Sequence, residues 1–297
     1  MSLQLLCATD LLPKSEAALD RAGRLAQQLD AQLTLLHVVS PVTSERNLEQ
    51  SLQVAIAELK SRASAQHWRH GAPPEVAIRT GAPVRLIREA LDQHSPDLLI
   101  IGPHRKRPVR DVLEGTIAEK VLGSRQCPLL IARCKAGAPY RTVLLALDIS
   151  SECGAAVRAA ERLVLSPGAQ AMVMHVAEPP YQGMLRSAGV ASTEVVSYVE
   201  SSKREAAILV RDLLKRESAD HTRYGIVIGD SHPAPAIRRA MEMYQPDLLV
   251  MGTGGIGRMR RALIGSVANQ LIDAAECDVL VVPRGTAAAQ EQSSTSA

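Results

Sequence analysis

The heptapeptide Pro96-Asp-Leu-Leu-Ile-Ile-Gly102 returns as Pro246-Asp-Leu-Leu-Val-Met-Gly252, with five of seven residues identical at an offset of 150. The same offset relates Gly115-Thr116 to Gly265-Ser266, Cys127–Ile131 to Cys277–Val281 and Ile87-Arg88 to Ile237-Arg238. Nearer the start of each half the offset is 138, pairing Asp10 with Asp148 and Leu36-His37-Val38 with Met174-His175-Val176. A chain that repeats in this way builds one supersecondary unit twice, and its 297 residues with 46% hydrophobic content suffice for two cores. The difference of the offsets puts twelve extra residues in the second copy, between Val176 and Ile228-Gly229, with Glu178–Gly189 as their expected place. The expected division is a first domain over 1–137, a joint at Gly137-Ala-Pro139, a second domain over 138–286 and a disordered polar tail over 287–297.

Each half alternates aliphatic runs with helical periodicity. In the second half, Thr142–Leu147, Ala171–Val176, Arg223–Ile228, Leu248–Met251 and Val279–Val282 read as strands. Helices are expected from about Ser151, over Ser192 to about Ala219, over Ala234–Met243 and over Ser266–Ala275. Strands that are continuously apolar, rather than alternating, belong to a sheet covered on both faces, which is the parallel α/β case. The fold class is therefore α/β, with two tandem five-stranded parallel doubly wound domains of Rossmann-like type.

Composition narrows the function classes. With 34 Lys+Arg against 31 Asp+Glu, the net charge of +3 is too small for a general nucleic-acid or membrane-surface binder. Phe is absent and Trp68 is the one Trp, so base-stacking platforms have almost no material. The start MSLQLLCATDLL lacks a basic n-region and meets Asp10 too early for a signal peptide, and no run is long enough to span a bilayer. The expectation is a cytoplasmic protein with no membrane insertion and no nucleic-acid partner. Five cysteines without C-x-x-C spacing suit reduced thiols rather than disulfides or metal.

The chemistry centres on GTGGIGRMRRALIGS, Gly252–Ser266, directly after an aliphatic run. A P-loop requires Lys and then Ser or Thr after its last Gly, whereas Arg258-Met259 follow Gly257. A dinucleotide fingerprint, Gly252-x-Gly254-x-x-Gly257, belongs to the first strand–helix unit with an acidic residue ending the next strand; here the turn follows the fourth strand and Asp278 begins the next. A third scheme runs Gly252-x-x-Gly255, nine residues, then Gly265-Ser266. In it Gly252 and Gly255 turn with positive φ and let a ligand approach, while Gly265-Ser266 opens a helix whose free N–H groups and dipole favour phosphate. Arg258, Arg260 and Arg261 on the intervening lid can neutralise a polyphosphate. The plain alternative is a tight surface turn with solvated arginines.

With this motif in this strand context, the chain resembles the universal stress protein family over about Leu3–Val282, as a tandem pair. The resemblance implies an adenine nucleotide alpha hydrolase-like fold and ATP bound with Mg2+ by a stress-response or signalling protein rather than a dedicated enzyme. It implies nucleotide binding by Asp148, facing the ribose and phosphates, Val176, packing by the adenine, and Gly252, Gly255, Arg258, Gly265, Ser266 and Val267. It further implies that the last strands, Leu129–Ala132 and Val279–Val282, pair to make an internal pseudo-dimer, with a possible homodimer of whole chains.

The first half keeps Asp10, Val38, Gly102, Gly115 and Thr116 but places Arg105 where the second half has Gly255. A Cβ at a position needing positive φ costs on the order of 1 kcal/mol or more, and Pro103 removes an N–H donor, so a degenerate site is expected there. Arg105, Lys106, Arg107 and Arg110 could instead meet another anion, or form an exposed charged loop. His37 and His175 read as histidines hydrogen-bonded within the fold, and Asp97 and Asp247 as turn residues. No catalytic group stands out. Slow ATP hydrolysis, and nucleotide-independent binding of an apolar or anionic ligand under Pro179–Gly189, remain alternatives.

Overall fold

The computed structural model describes residues 2–39, 45–63, 73–103, 117–122, 127–134, 138–149, 153–179, 181–230, 232–253 and 265–283. The chain folds as two compact units: one holds Met1–Pro139 and the segment from Glu276, the other Tyr140–Gly257 and Gly265–Ala275. The first repeat forms β1 (Gln4–Thr9), α1 (Glu16–Leu29), β2 (Gln32–Val39), α2 (Glu45–Ala63), β3 (Glu75–Thr80), α3 (Pro83–His94), β4 (Leu98–Ile101), α4 (Ile117–Leu122) and β5 (Leu129–Ile131). The second forms β6 (Thr142–Ala146), α5 (Gly154–Leu163), β7 (Gln170–Val176), α6 (Gln182–Ser187), α7 (Ser192–Glu217), β8 (Tyr224–Gly229), α8 (Pro233–Tyr244), β9 (Leu248–Gly252), α9 (Ser266–Ala274) and β10 (Asp278–Val282). Five strands per repeat is the tandem α/β arrangement read from the sequence. The twelve added residues are more than a loop, since α6 lies inside them. The polar tail over 287–297 lies outside the described residues.

In the first unit the strand order is β3-β2-β1-β4-β5-β10, and in the second β9-β6-β7-β8. Neighbours within each repeat are parallel. Such strands need helical crossovers, which cover both faces of the sheet. Leu98-Leu99-Ile100 and Leu248-Leu249-Val250 are accordingly 0% exposed. Without Phe, the core is built from Leu, Val, Ile and Ala.

The repeat also extends to helix ends. Pro83 and Pro233 open α3 and α8, where a missing N–H costs nothing. Ser95 and Gln245 close them in the left-handed conformation at φ 42° and 43°, each donating its N–H to the carbonyl four residues back. Asp97 then accepts from the Gln4 amide at 2.9 Å, and Asp247 from the Arg141 and Thr142 amides at 2.7 and 3.0 Å. Both aspartates seat the amino ends of β1 and β6, away from the carboxyl edge.

One contact departs from parallel pairing. β10 lies antiparallel to β5, with Leu280 opposite Leu130. Beside this pair a buried ion pair links α1 to β10: Arg21 Nε lies 3.0 Å from Asp278 Oδ2, with side chains 6% and 0% exposed. Arg21 Nη1 also donates to the Ala138 carbonyl at 3.1 Å, and Asp278 Oδ1 accepts from the Arg133 and Cys134 amides at 2.7 and 3.0 Å.

Removing the side chain of Leu144, 0% exposed on central β6, should cost about 2–5 kcal/mol in the Leu144→Ala variant. Met243→Ala, at a site 74% exposed, should stay within about 0.5 kcal/mol. Urea unfolding midpoints check the contrast.

Candidate functional site

From β1 the chain moves outward to β2 and β3, then returns to the other side of β1 as β4; β6 to β9 repeat the move. The reversal sets a topological switch point at the carboxyl ends of β1 and β4, and again of β6 and β9, the place where open parallel sheets take ligands. Ala146 pairs with Met251 on one side and Met174 on the other. Two residues further on, Asp148 follows the carboxyl end of β6. Val176 is directly opposite Gly229 on β8. The sheet thus brings Asp148, Val176 and the end of β9 into one row.

The second part of the glycine motif closes on this row. Gly265 caps α9 in extended backbone, φ −60° and ψ 152°, and its carbonyl takes the first helical bond from the Asn269 amide at 3.0 Å. A Cβ on Gly265 would lie 3.6 Å from the Thr253 carbonyl oxygen, so the two ends of the segment 254–264 meet. Gly265 has no side chain with which to cap the helix. The first-turn amides of Ser266, Val267 and Ala268 are the groups that an α-helix leaves without intrahelical partners, an arrangement suited to anions. Ser266 is exposed and Val267 half-buried. Gly255 and Arg258 lie outside the described residues, as do Arg105, Gly115 and Thr116 of the first repeat.

The conformational reason expected for Gly252 does not hold. Gly252 is the last residue of β9, and the described glycines with positive φ are Gly81, Gly168 and Gly189. Its counterpart Gly102 shows a packing reason instead: a Cβ there would lie 3.0 Å from Ser15 Cα and 3.2 Å from Ser15 Cβ. The loop after β1 sits directly on Gly102.

Positive φ occurs at the residue after each aspartate, Leu11 at 58° and Ile149 at 51°. Such residues store about 1–2 kcal/mol each, and for β-branched Ile149 the conformation is rare. In the first repeat Asp10 accepts from the Leu12 amide at 3.0 Å, and the buried Thr9 and Ser15 hydroxyls share a hydrogen bond at 3.0 Å. At the equivalent places the second repeat has Leu147 and Cys153, both buried. Burial, and then the charge of Asp148, push the Cys153 thiol up to about 11, so it stays protonated. Val38 sits half-buried on β2 opposite Arg79, where Val176 has Gly229.

Gly229, opposite Val176, is a position at this edge that motif reading passed over. A Cβ there would press within 2.9 Å of Met174 Cε and 3.5 Å of Val176 Cγ2. The offset of 150 that aligns it with Arg79 was the available signal. Beside it Lys203 of α7 reaches Asp230 at 2.7 Å and Glu200 at 3.1 Å, and the bond to Asp230 raises the ammonium pKa. Being solvent-exposed, this pair contributes little.

His37 and His175 hold matching bonds, Nδ1 donating to the Thr9 carbonyl at 2.9 Å and to the Leu147 carbonyl at 2.8 Å. They tie β2 to β1 and β7 to β6. Burial lowers the His175 pKa, against smaller opposing effects of the Leu147 bond and Asp148. Among the described residues no group of three or more His, Cys, Asp or Glu could hold a metal ion, and no helix is long and apolar enough to cross a membrane.

A profile of the universal stress protein family matches the chain twice, at residues 1–133 and 139–283. The chain is 30% identical over 145 residues to a universal stress protein of Thermus aquaticus, covering 48% of this chain and 98% of that one. It is 29% identical over 137 residues to one of Methanocaldococcus jannaschii, covering 42% and 78%. Among solved structures, a universal stress protein from Archaeoglobus fulgidus superposes with a TM-score of 0.70 at 20% identity, over 96% of this chain and 97% of that one. A putative universal stress protein from Pseudomonas aeruginosa gives 0.62 at 18%, over 99% and 98%. At these identities the superpositions establish the fold.

His175 predicts a pH dependence. Its folded pKa lies below the ordinary 6.5, so the unfolded chain takes up the proton first. This contribution to stability is complete above about 6.5 and declines as pH falls toward the folded value. In His175→Asn the fall of the thermal midpoint between about pH 7 and 5 should become shallower than in the unaltered protein. An equal slope in both would show that His175 does not titrate on unfolding.

Proposed function

Because the chain belongs to the universal stress protein family, we propose that its second repeat binds ATP with Mg2+ at the β6–β9 crevice and that the protein acts in stress response or signalling. The observation that carries this reading is the closure of Gly265 onto the Thr253 carbonyl, 3.6 Å from a Cβ position. The cradle fits a polyphosphate: the amides of Ser266, Val267 and Ala268 and the Ser266 hydroxyl would donate to phosphate oxygens, with Gly252 and Gly255 admitting them closely. Arg258 would add positive charge. Asp148 would face the ribose and phosphates, and Val176 would pack against the adenine. Mg2+ would be held chiefly by phosphate oxygens.

The first repeat would bind nucleotide weakly or not at all. Arg105 replaces the second glycine, Pro103 removes an amide donor, and Arg79 stands beside Val38 where the second repeat has Gly229. The same reading makes this a cytoplasmic protein whose repeats associate as an internal pseudo-dimer through their last strands. The pairing of Leu130 with Leu280, its own counterpart, supports that association.

Equilibrium binding of labelled ATP tests the assignment. Gly265→Asp should lower affinity at least about tenfold by placing a carboxylate against the phosphates, while Gly115→Asp should change it less than about twofold. Equal losses in the two variants would defeat the asymmetry. Gly229→Arg, which installs the first repeat's residue, should also weaken binding about tenfold or more while leaving the circular dichroism spectrum unchanged.

A further inference from the structure

The β5–β10 pair poses a problem of selectivity. Val279, Leu280 and Val281 lie opposite Ile131, Leu130 and Leu129, and at the offset of 150 these strands are copies of one another. Two apolar copies paired about a shared midpoint could as well pair like with like between two chains, β5 with β5 and β10 with β10. Their apolar side chains would bury equally well in either arrangement.

The polar groups beside them differ. Arg21 and Asp278, bonded at 3.0 Å with side chains 6% and 0% exposed, have no copies. The counterpart of Asp278 at offset 150 is Pro128, and that of Arg21 at offset 138 is Ala159. A like-with-like β5 pair would set Arg21 against Pro128 of the other chain, and a β10 pair would set Asp278 against Ala159. Either leaves a buried charge without its partner, a penalty of roughly a hundredfold or more in the pairing equilibrium. Asp278 also receives the Arg133 and Cys134 amides at 2.7 and 3.0 Å, so a shifted register would break three bonds at once.

We propose that the Arg21–Asp278 pair is a pairing code: it directs the last strand of the second repeat onto β5 and excludes a second copy of this chain from like-with-like pairing at these strands. The code rests on the β5–β10 contact and is independent of nucleotide binding.

The full chain carrying Arg21→Met and Asp278→Leu together tests it, since replacing both charges by apolar groups avoids stranding either one. Leu130→Cys is added as a reporter, because like-with-like β5 pairing sets residue 130 opposite itself. After refolding from urea with oxidised glutathione, the covalent dimer that depends on Leu130→Cys should be at least about tenfold more abundant in the double variant than with Arg21 and Asp278 intact. Equal abundance in the two backgrounds would overturn the proposal. Should the double variant fail to refold, Asp278→Asn, which keeps an oxygen for the Arg133 and Cys134 amides, provides the same comparison and the same two outcomes.

Discussion

Parallel strand pairing is the constraint on which the molecule depends. Parallel strands cannot be joined by tight turns, so each crossover carries a helix and every strand of a repeat ends at the same edge. β1 and β6 are paired on both sides, and the return of β4 and β9 to their far side sets a topological switch point at the carboxyl edge. Asp148, Val176, Gly229 and Thr253 share one edge because of that topology, and α9 then brings Gly265 back onto it. The continuous aliphatic runs that specify such a sheet therefore also specify where its carboxyl edge lies.

Duplication has kept what the backbone needs and changed what faces the edge. Both repeats retain the prolines that open α3 and α8, the left-handed caps at Ser95 and Gln245, the strand-seating aspartates and the histidine bonds to the first strand. Both also carry the positive-φ residue after the edge aspartate, Leu11 and Ile149, in a conformation that a side chain makes costly. The repeats differ at the carboxyl edge and beside β5 and β10. The Thr9–Ser15 hydroxyl pair has become Leu147 and Cys153, Arg79 answers to Gly229, and Arg21 and Asp278 answer to Ala159 and Pro128. Each change alters charge or hydrogen bonding at equivalent positions of the two repeats.

Much of the architecture could be read before any coordinates. Aliphatic continuity indicated parallel strands, and the double offset located an insertion. Less legible were facts that depend on proximity across the chain. The reason for glycine at position 102 is the approach of Ser15, more than eighty residues earlier, and a motif carries no trace of that contact. Gly229 went unnoticed because its meaning comes from the strand opposite it.

The sequence alone was sufficient for the fold class and the duplication, because hydrophobic period and self-similarity are properties of the chain itself. Which residues meet was a matter for three dimensions. Asp278, read along the chain as an acid out of place for a dinucleotide site, lies in the folded protein against Arg21, 257 residues away in sequence. Burial makes such a pair strongly dependent on both partners, and neither residue's local context names the other.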